Sequence, residues 1–254
     1  MTRDYRKEFA EDFITLDKRY KGVESFIQKM PQGEVRSLII NGPPGVGKTH
    51  SVTTYLEKYA KGNYKVITGH LTLLSLYAVL YDYRSAGQIV VLDDVDSIFG
   101  KVEGLNILKA AMDTNDQRKI HWETSGGKLN TMGLPLHFYF EGGVILISNL
   151  GFGGGHSKLV SHLSALKDRS YCIPVAEKGE DSLFKQVCYM VLERGMMTNL
   201  GVDIKDQPML LQYIDENRGK LNTMSLRTVT KLAKIFKMNT TDWRTMADQG
   251  LLRI

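Results

Sequence analysis

The sequence is poor in cysteine, tryptophan and proline, with two, two and six of them in 254 residues. Two cysteines, Cys172 and Cys188, are too few for a disulfide framework, and their spacing fits no metal-ligand pattern. Both sit among apolar neighbours, so they are expected to be buried free thiols in a reducing compartment. The longest apolar-rich stretch, residues 71–81, is too short to span a bilayer, and no membrane partner is expected. The charged start, Met1-Thr2-Arg3-Asp4-Tyr5-Arg6-Lys7, has no apolar segment behind it. A secretory signal is therefore not expected, and the expected setting is cytoplasmic. Internal repeats and low-complexity tracts are absent. So is any helix-turn-helix or zinc-finger pattern, which leaves base-specific reading unsupported.

What is present is an ordinary apolar content of 43%, enough for a sizeable core, and a formal charge of +5 that suits an anionic partner. One stretch dominates: Gly42-Pro43-Pro44-Gly45-Val46-Gly47-Lys48-Thr49. It fits Gly-x-x-x-x-Gly-Lys-Thr, follows the apolar run Ser37-Leu38-Ile39-Ile40, and precedes a predicted helix, residues 50–61. A strand feeding a glycine-rich turn that opens a helix is the context in which backbone N–H groups cradle phosphate. Lys48 would neutralise the β/γ-phosphates of ATP, and the Thr49 hydroxyl would ligate Mg²⁺.

The segment before this loop mixes charge with apolar residues at helical spacing: Phe9, Phe13, Leu16, Val23, Phe26 and Ile27. After the loop helix come a strand (64–68) and a helix (71–83). The run Gln88-Ile89-Val90-Val91-Leu92-Asp93-Asp94-Val95-Asp96 reads as a strand buried on both faces with acids at its C-terminal end. Asp93 would hold Mg²⁺ and Asp94 would polarise the attacking water, although carboxylates in such places also serve as turn formers. Asp96 suits a helix cap. A helix over 105–113 is followed by two alternating stretches, 118–124 and 136–140, joined through Ser125-Gly126-Gly127-Lys128. They suggest a hairpin carrying Arg118, Lys119, His121, Trp122 and Lys128. Two readings stand: an edge hairpin with solvated charges, or a reader of single-stranded nucleic acid. The strand 142–149 ends in Asn149, expected beside Asp93 and Asp94. A glycine cluster (151–155), a helix (156–167) and a last strand (170–175) come next. Beyond Glu177 the pattern is helical only, with helices expected over 182–194, 206–217, 225–236 and 241–250. Leu226, Val229, Leu232, Ala233 and Phe236 form the apolar stripe of the third.

Phosphate loop, acid-ended strand, amide-ended strand, an arginine before the last strand, then a helical lid: this order resembles the AAA+ ATPases. The resemblance implies an α/β fold, a P-loop parallel-sheet core with a small C-terminal all-helical lid. It places an N-terminal helical linker at 1–34, the ATPase core at 35–176 and the lid at 177–254. By position, Gly42 to Thr49 looks like Walker A, Leu92-Asp93-Asp94 like Walker B, Asn149 like sensor 1, Arg169 like the arginine finger and Arg227 like sensor 2. Lys167 is the alternative finger, and Arg169 could instead pair locally. The finger implies a ring, commonly a hexamer, because an arginine supplied across an interface acts only between docked subunits. One departure is Asp94 where the family usually carries glutamate, one methylene longer.

The stretch between Walker B and sensor 1 is similar to superfamily 3 viral helicases, in which a basic, His-containing hairpin grips single-stranded DNA. That resemblance points to a virus or bacteriophage as source and to the host cytoplasm. The leading expectation is a Mg²⁺-dependent ATPase acting on nucleic acid as helicase, translocase or helicase loader, with a replication protein as partner. The alternatives are a protein remodeller or a slow ATP-switched scaffold. The loop Thr68-Gly69-His70-Leu71-Thr72 lacks the aromatic that remodellers use to thread polypeptide.

Overall fold

A computed structural model describes residues 3–122, 127–149, 164–238 and 241–253, without the side chains of Asp96 and Lys128. Three apolar runs form its centre: β1 (Ser37–Asn41), β3 (Ile89–Asp93) and β6 (Gly143–Ser148). Leu38, Ile39, Ile40, Val90, Val91, Leu92, Val144 and Ile145 have no exposed surface. Runs without a polar alternate are what a parallel strand covered on both faces requires. With β2 (Tyr64–Thr68) and β7 (Tyr171–Pro174) they make a five-stranded sheet in the order β2-β3-β6-β1-β7. Every pairing in it is parallel.

This strand order positions the site. Strand β6 lies between β1 and β3, with Asn41 level with Ser148 and Asp93 level with Ile147. The segments that leave the C-terminal ends of β1, β3 and β6 therefore emerge side by side, on the edge where open α/β sheets bind ligands.

Among the described residues the edge strand β7 pairs only with β1, and Cys172 on it is exposed, while Cys188 is buried. Apolar neighbours in sequence therefore misplace Cys172, because an edge strand lacks the cover that an interior strand has. A separate antiparallel pair, β4 (Lys119–His121) with β5 (His137–Tyr139), is the expected hairpin, in shorter strands. The expected turn at residues 125–128 is replaced in part by a helical turn, Gly127–Thr131. The glycine cluster 151–155 lies outside the described residues. Of the helix expected over 156–167, residues 164–168 are described and are helical.

The chain divides into two compact units. One holds the sheet (Tyr20–Gly42 and Lys48–Pro174). The other is helical and gathers the residues up to Arg19, the loop segment Pro43–Gly47 and everything from Val175 on. Its main helices are Glu180–Leu192, Gln207–Glu216, Leu226–Met238 and Trp243–Leu251. The predicted stripe on Leu226–Met238 is buried, and Lys231, Lys234 and Lys237 on the other face are exposed.

The N-terminal segment joins this helical unit through aromatic packing. Phe184 meets Tyr5 and Phe9 edge-on at 5.5 and 6.1 Å, and Tyr189 meets Phe13 at 5.7 Å. Such pairs add to simple area burial. No helix among the described residues is long and apolar enough to cross a membrane.

Candidate active site

The glycine turn after β1 leads directly into the helix Lys48–Tyr59, so Lys48 occupies its first position. Gly45 and Gly47 have φ of +73° and +88°, conformations that side-chain-bearing residues rarely adopt. Alternating left-handed glycines in such a turn aim consecutive N–H groups to one side, which makes an anion-binding concavity.

On the sheet unit, Lys48 is buried, and its ammonium donates to the Gly42 carbonyl at 2.8 Å and to Asn149 Oδ1 at 2.7 Å. The other end of the same amide, Asn149 Nδ2, donates to Asp94 Oδ1 at 2.6 Å. Asn149 thus bridges the loop that follows β1 and the acid that follows β3, as the position of β6 between those strands dictates. Asp94 sits at φ +51° and is the only non-glycine with positive φ among the described residues. Its N–H is held by the Ile147 carbonyl at 3.3 Å. A left-handed aspartate costs on the order of 1–2 kcal/mol, and such strain gathers at functional sites.

Thr49 Oγ1 donates to Asp93 Oδ2 at 2.7 Å, and Asp93 is buried. A hydroxyl and a buried carboxylate, both hard oxygen donors, meet at the sheet edge. That donor set fits Mg²⁺, which takes few protein ligands and completes its shell with water and phosphate oxygens. Asp96 does not take the expected place of a helix cap. It is the first residue of the helix Asp96–Phe99, and Val95 precedes it without a side-chain cap.

Arg169 follows the helical residues 164–168. Its Nη1 donates to the Ala165 carbonyl at 2.9 Å, and its Nε lies 3.5 Å from Asp113 Oδ2 without a hydrogen bond. The local pairing named as the alternative is therefore present. On the helical unit, exposed Arg227 lines a cleft of 340 Å³ with Pro44, Gly45, Ser225, Thr228 and Lys231. Sequence reasoning missed Gln186, which is 1% exposed and donates through Nε2 to the Val46 carbonyl at 3.3 Å. The available signal was an amide directly ahead of the apolar run Val187 to Val191.

The hairpin residues do not act as one set. A strand alternates faces, so Arg118, Ile120 and Trp122 turn inward while Lys119 and His121 turn outward. Arg118 is 4% exposed; its guanidinium donates to the Ala111 and Gly142 carbonyls at 2.7 and 2.9 Å and lies over Phe140. Burial lowers its pKa to about 10, so it stays charged at neutral pH. Arg118 is therefore a structural cation of the core and not a surface contact. Trp122 is half-buried and packs edge-on against Tyr77 at 5.3 Å. Exposed His121 pairs with His137 at 5.6 Å, and Lys119 lies 5.8 Å from the Tyr139 ring. The Lys128 side chain lies outside the described residues.

No protein-family model matches the sequence. A 36.7 kDa protein from the nrdC-mobD intergenic region of Enterobacteria phage T4 is 31% identical over 248 residues, which cover 95% of this chain and 76% of the phage protein. The chain belongs to the family of that phage protein. Among solved structures, this family member is similar to the Thermotoga maritima RuvB Holliday junction branch migration motor. The TM-score is 0.54 at 15% identity, over 92% of this chain and 68% of the other. It is also similar to AMPPCP-bound DnaA from Aquifex aeolicus, with TM-score 0.51 at 16% identity, over 87% and 61%. At such identities the likeness is one of fold. The family member has the mixed α/β, parallel-sheet fold of AAA+ P-loop domains, with helices at the C-terminus.

Proposed function

We propose that this chain binds and hydrolyses ATP at the C-terminal edge of its sheet and couples the reaction to work on nucleic acid. The observation that carries the proposal is the Lys48–Asn149–Asp94 chain of hydrogen bonds beside the Thr49–Asp93 pair. Lys48, Asn149 and Asp94 lie within one another's reach there, which supports roles for them as phosphate-binding cation, orienting amide and water-polarising acid. In this reading the N–H groups of Gly42 to Thr49 hold the phosphates, with Pro43 and Pro44 shaping the turn. Lys48 exchanges its present acceptors for phosphate oxygens. Asp94 accepts the proton of the attacking water. Thr49 and Asp93 would hold Mg²⁺, which when bound neutralises charge on the β- and γ-phosphates.

Arg169 is assigned as the arginine that serves a neighbouring protomer in a ring, which we take to be a hexamer. Because Arg169 already pairs within the chain, with the Ala165 carbonyl and beside Asp113, the assignment rests on its place between residues 164–168 and β7. Arg227 in the cleft beside Gly45 is assigned as the lid arginine. The similar RuvB structure is described as a Holliday junction branch migration motor, which supports DNA as the polymer acted upon. Outward-facing Lys119 and His121 are the proposed contacts to single-stranded DNA. The role that fits these assignments is helicase, translocase or loader beside a replication protein in the cytoplasm.

Asp94 favours one second reading. Its carboxylate reaches one methylene less far than glutamate and is tied to Asn149, which suits slow turnover in an ATP-switched assembly scaffold.

The test is steady-state ATP hydrolysis with and without single-stranded DNA across a salt series. A motor is expected to be stimulated, with the stimulation fading steeply as salt rises, and Lys119→Ala with His121→Ala removes it. Turnover that DNA leaves unchanged would shift the assignment to the switch.

A further inference from the structure

The tip of the phosphate loop is held from behind by the helical unit to which it belongs. The Leu226 N–H, at the first turn of the helix Leu226–Met238, donates to the Gly45 carbonyl at 2.8 Å, and Gln186 Nε2 donates to the Val46 carbonyl at 3.3 Å. Only a glycine permits the first approach, since a Cβ on Gly45 would lie 2.6 Å from Ser225 Cβ. In a trans peptide the carbonyl and the N–H point in opposite directions. Fixing the Gly45 carbonyl therefore fixes the Val46 N–H, and fixing the Val46 carbonyl fixes the Gly47 N–H. Both N–H groups are turned away from the helices, to the side of the loop where an anion would be cradled.

Gln186 lies on the buried face of its helix. Its helix buries Phe184, Val187, Cys188, Tyr189 and Val191 around it, and an amide in such company is unfavourable unless it makes hydrogen bonds. Its orientation toward Val46 follows from chemistry, since a carbonyl accepts only from the amide nitrogen.

We propose that Gln186 is a positioning residue for nucleotide: by holding the Val46 carbonyl from behind, it presets the Gly47 N–H for a phosphate oxygen, as Leu226 N–H does for Val46. This rests on the ATPase reading above. It assigns to the lid a part in gripping phosphate that acts through the loop's main chain and needs no lid side chain to touch the ligand. The contribution is uniform across ground and transition states, because the same N–H holds the phosphate throughout. It should therefore appear in binding and KM and leave kcat alone.

The experiment compares wild type with Gln186→Leu, which keeps the volume and removes the donor. Affinity for ADP with magnesium is measured by calorimetry, and ATP hydrolysis is followed at steady state. The expected result is a roughly 3- to 10-fold loss of ADP affinity, the range a single buried hydrogen bond spans, with a matching rise in KM and kcat within about twofold. Gln186→Glu guards against a misfolded leucine variant. Its carboxylate cannot donate when ionised and donates again when protonated. Its affinity deficit relative to wild type should be present near pH 9 and close toward pH 5. Wild-type affinity in Gln186→Leu, a fall in kcat at unchanged KM, or a pH-independent deficit in Gln186→Glu would overturn the role of Gln186 alone. A wild-type chain that binds no ADP would overturn the ATPase reading, and this role with it.

Discussion

The C-terminal edge of the sheet and the β4–β5 hairpin are both marked by charged residues in the sequence, and they fare differently in three dimensions. At the sheet edge, Lys48, Thr49, Asp93, Asp94 and Asn149 converge through contacts of 2.6 to 2.7 Å. At the hairpin, the cations part: Arg118 enters the core, while Lys119 and His121 face outward. The first set is tied to a turn and to strand ends whose register is fixed by a fully buried sheet, so its spacing encodes a place. The second is a matter of composition, and composition does not say which way a side chain points. The alternation that identified β4 already carried that information, since residues two apart share a face.

The contrast between the two regions is challenged most forcefully at the sheet edge. Asp94→Asn removes the proposed base while keeping the amide-compatible shape. It should lower ATP turnover by about 10²- to 10³-fold with nucleotide affinity retained, read by hydrolysis and binding side by side. Full turnover in this variant would reduce Asp94 to a turn former. The next largest effect is expected at Arg118. Arg118→Met should lower unfolding free energy by about 2–4 kcal/mol in a denaturant titration, because the Ala111 and Gly142 carbonyls lose a buried charged donor. DNA-stimulated hydrolysis should survive. A variant that is stable yet loses DNA response would restore Arg118 to the interface.

A smaller effect belongs to the helical unit. Burial of Asp215 opposes its charge, but hydrogen bonds from Tyr5, Arg218 and Arg3 prevail and hold its carboxyl below the ordinary value of 3.8. Because the folded pKa is the lower one, the stabilisation is present above 3.8 and is lost as pH falls through the folded value. Asp215→Asn should therefore lower stability at neutral pH and flatten the acid limb below about 4, so that the variant's deficit shrinks as pH falls. An unchanged acid limb would mean that these ties contribute nothing to folding.

Legibility divides along the same line. Strands β1, β3 and β6, the loop and its helix, and the apolar stripe of Leu226–Met238 were readable because burial imposes a period or a continuous run. Asn149 was readable as the residue where an apolar run ends. Cys172 was misplaced because its exposure depends on β7 being an edge, a fact of strand order that no local pattern holds. Gln186 was passed over because its partner is a main-chain carbonyl 140 positions away, and main-chain acceptors leave no mark in a sequence. The packing of residues 3–19 with the helices after Val175 was invisible because its partners lie more than 150 positions apart in the sequence.

Everything proposed for the sheet edge depends on main-chain amides of residues 42–49, with Lys48, gripping a triphosphate. Equilibrium binding of ATP with magnesium to the wild-type chain and to Lys48→Ala tests this most directly. Saturable binding by the wild type is expected, with a loss of at least about 100-fold in the variant, because a buried cation facing phosphate has been removed. Equal affinity in the two, or no binding by the wild type, would contradict it.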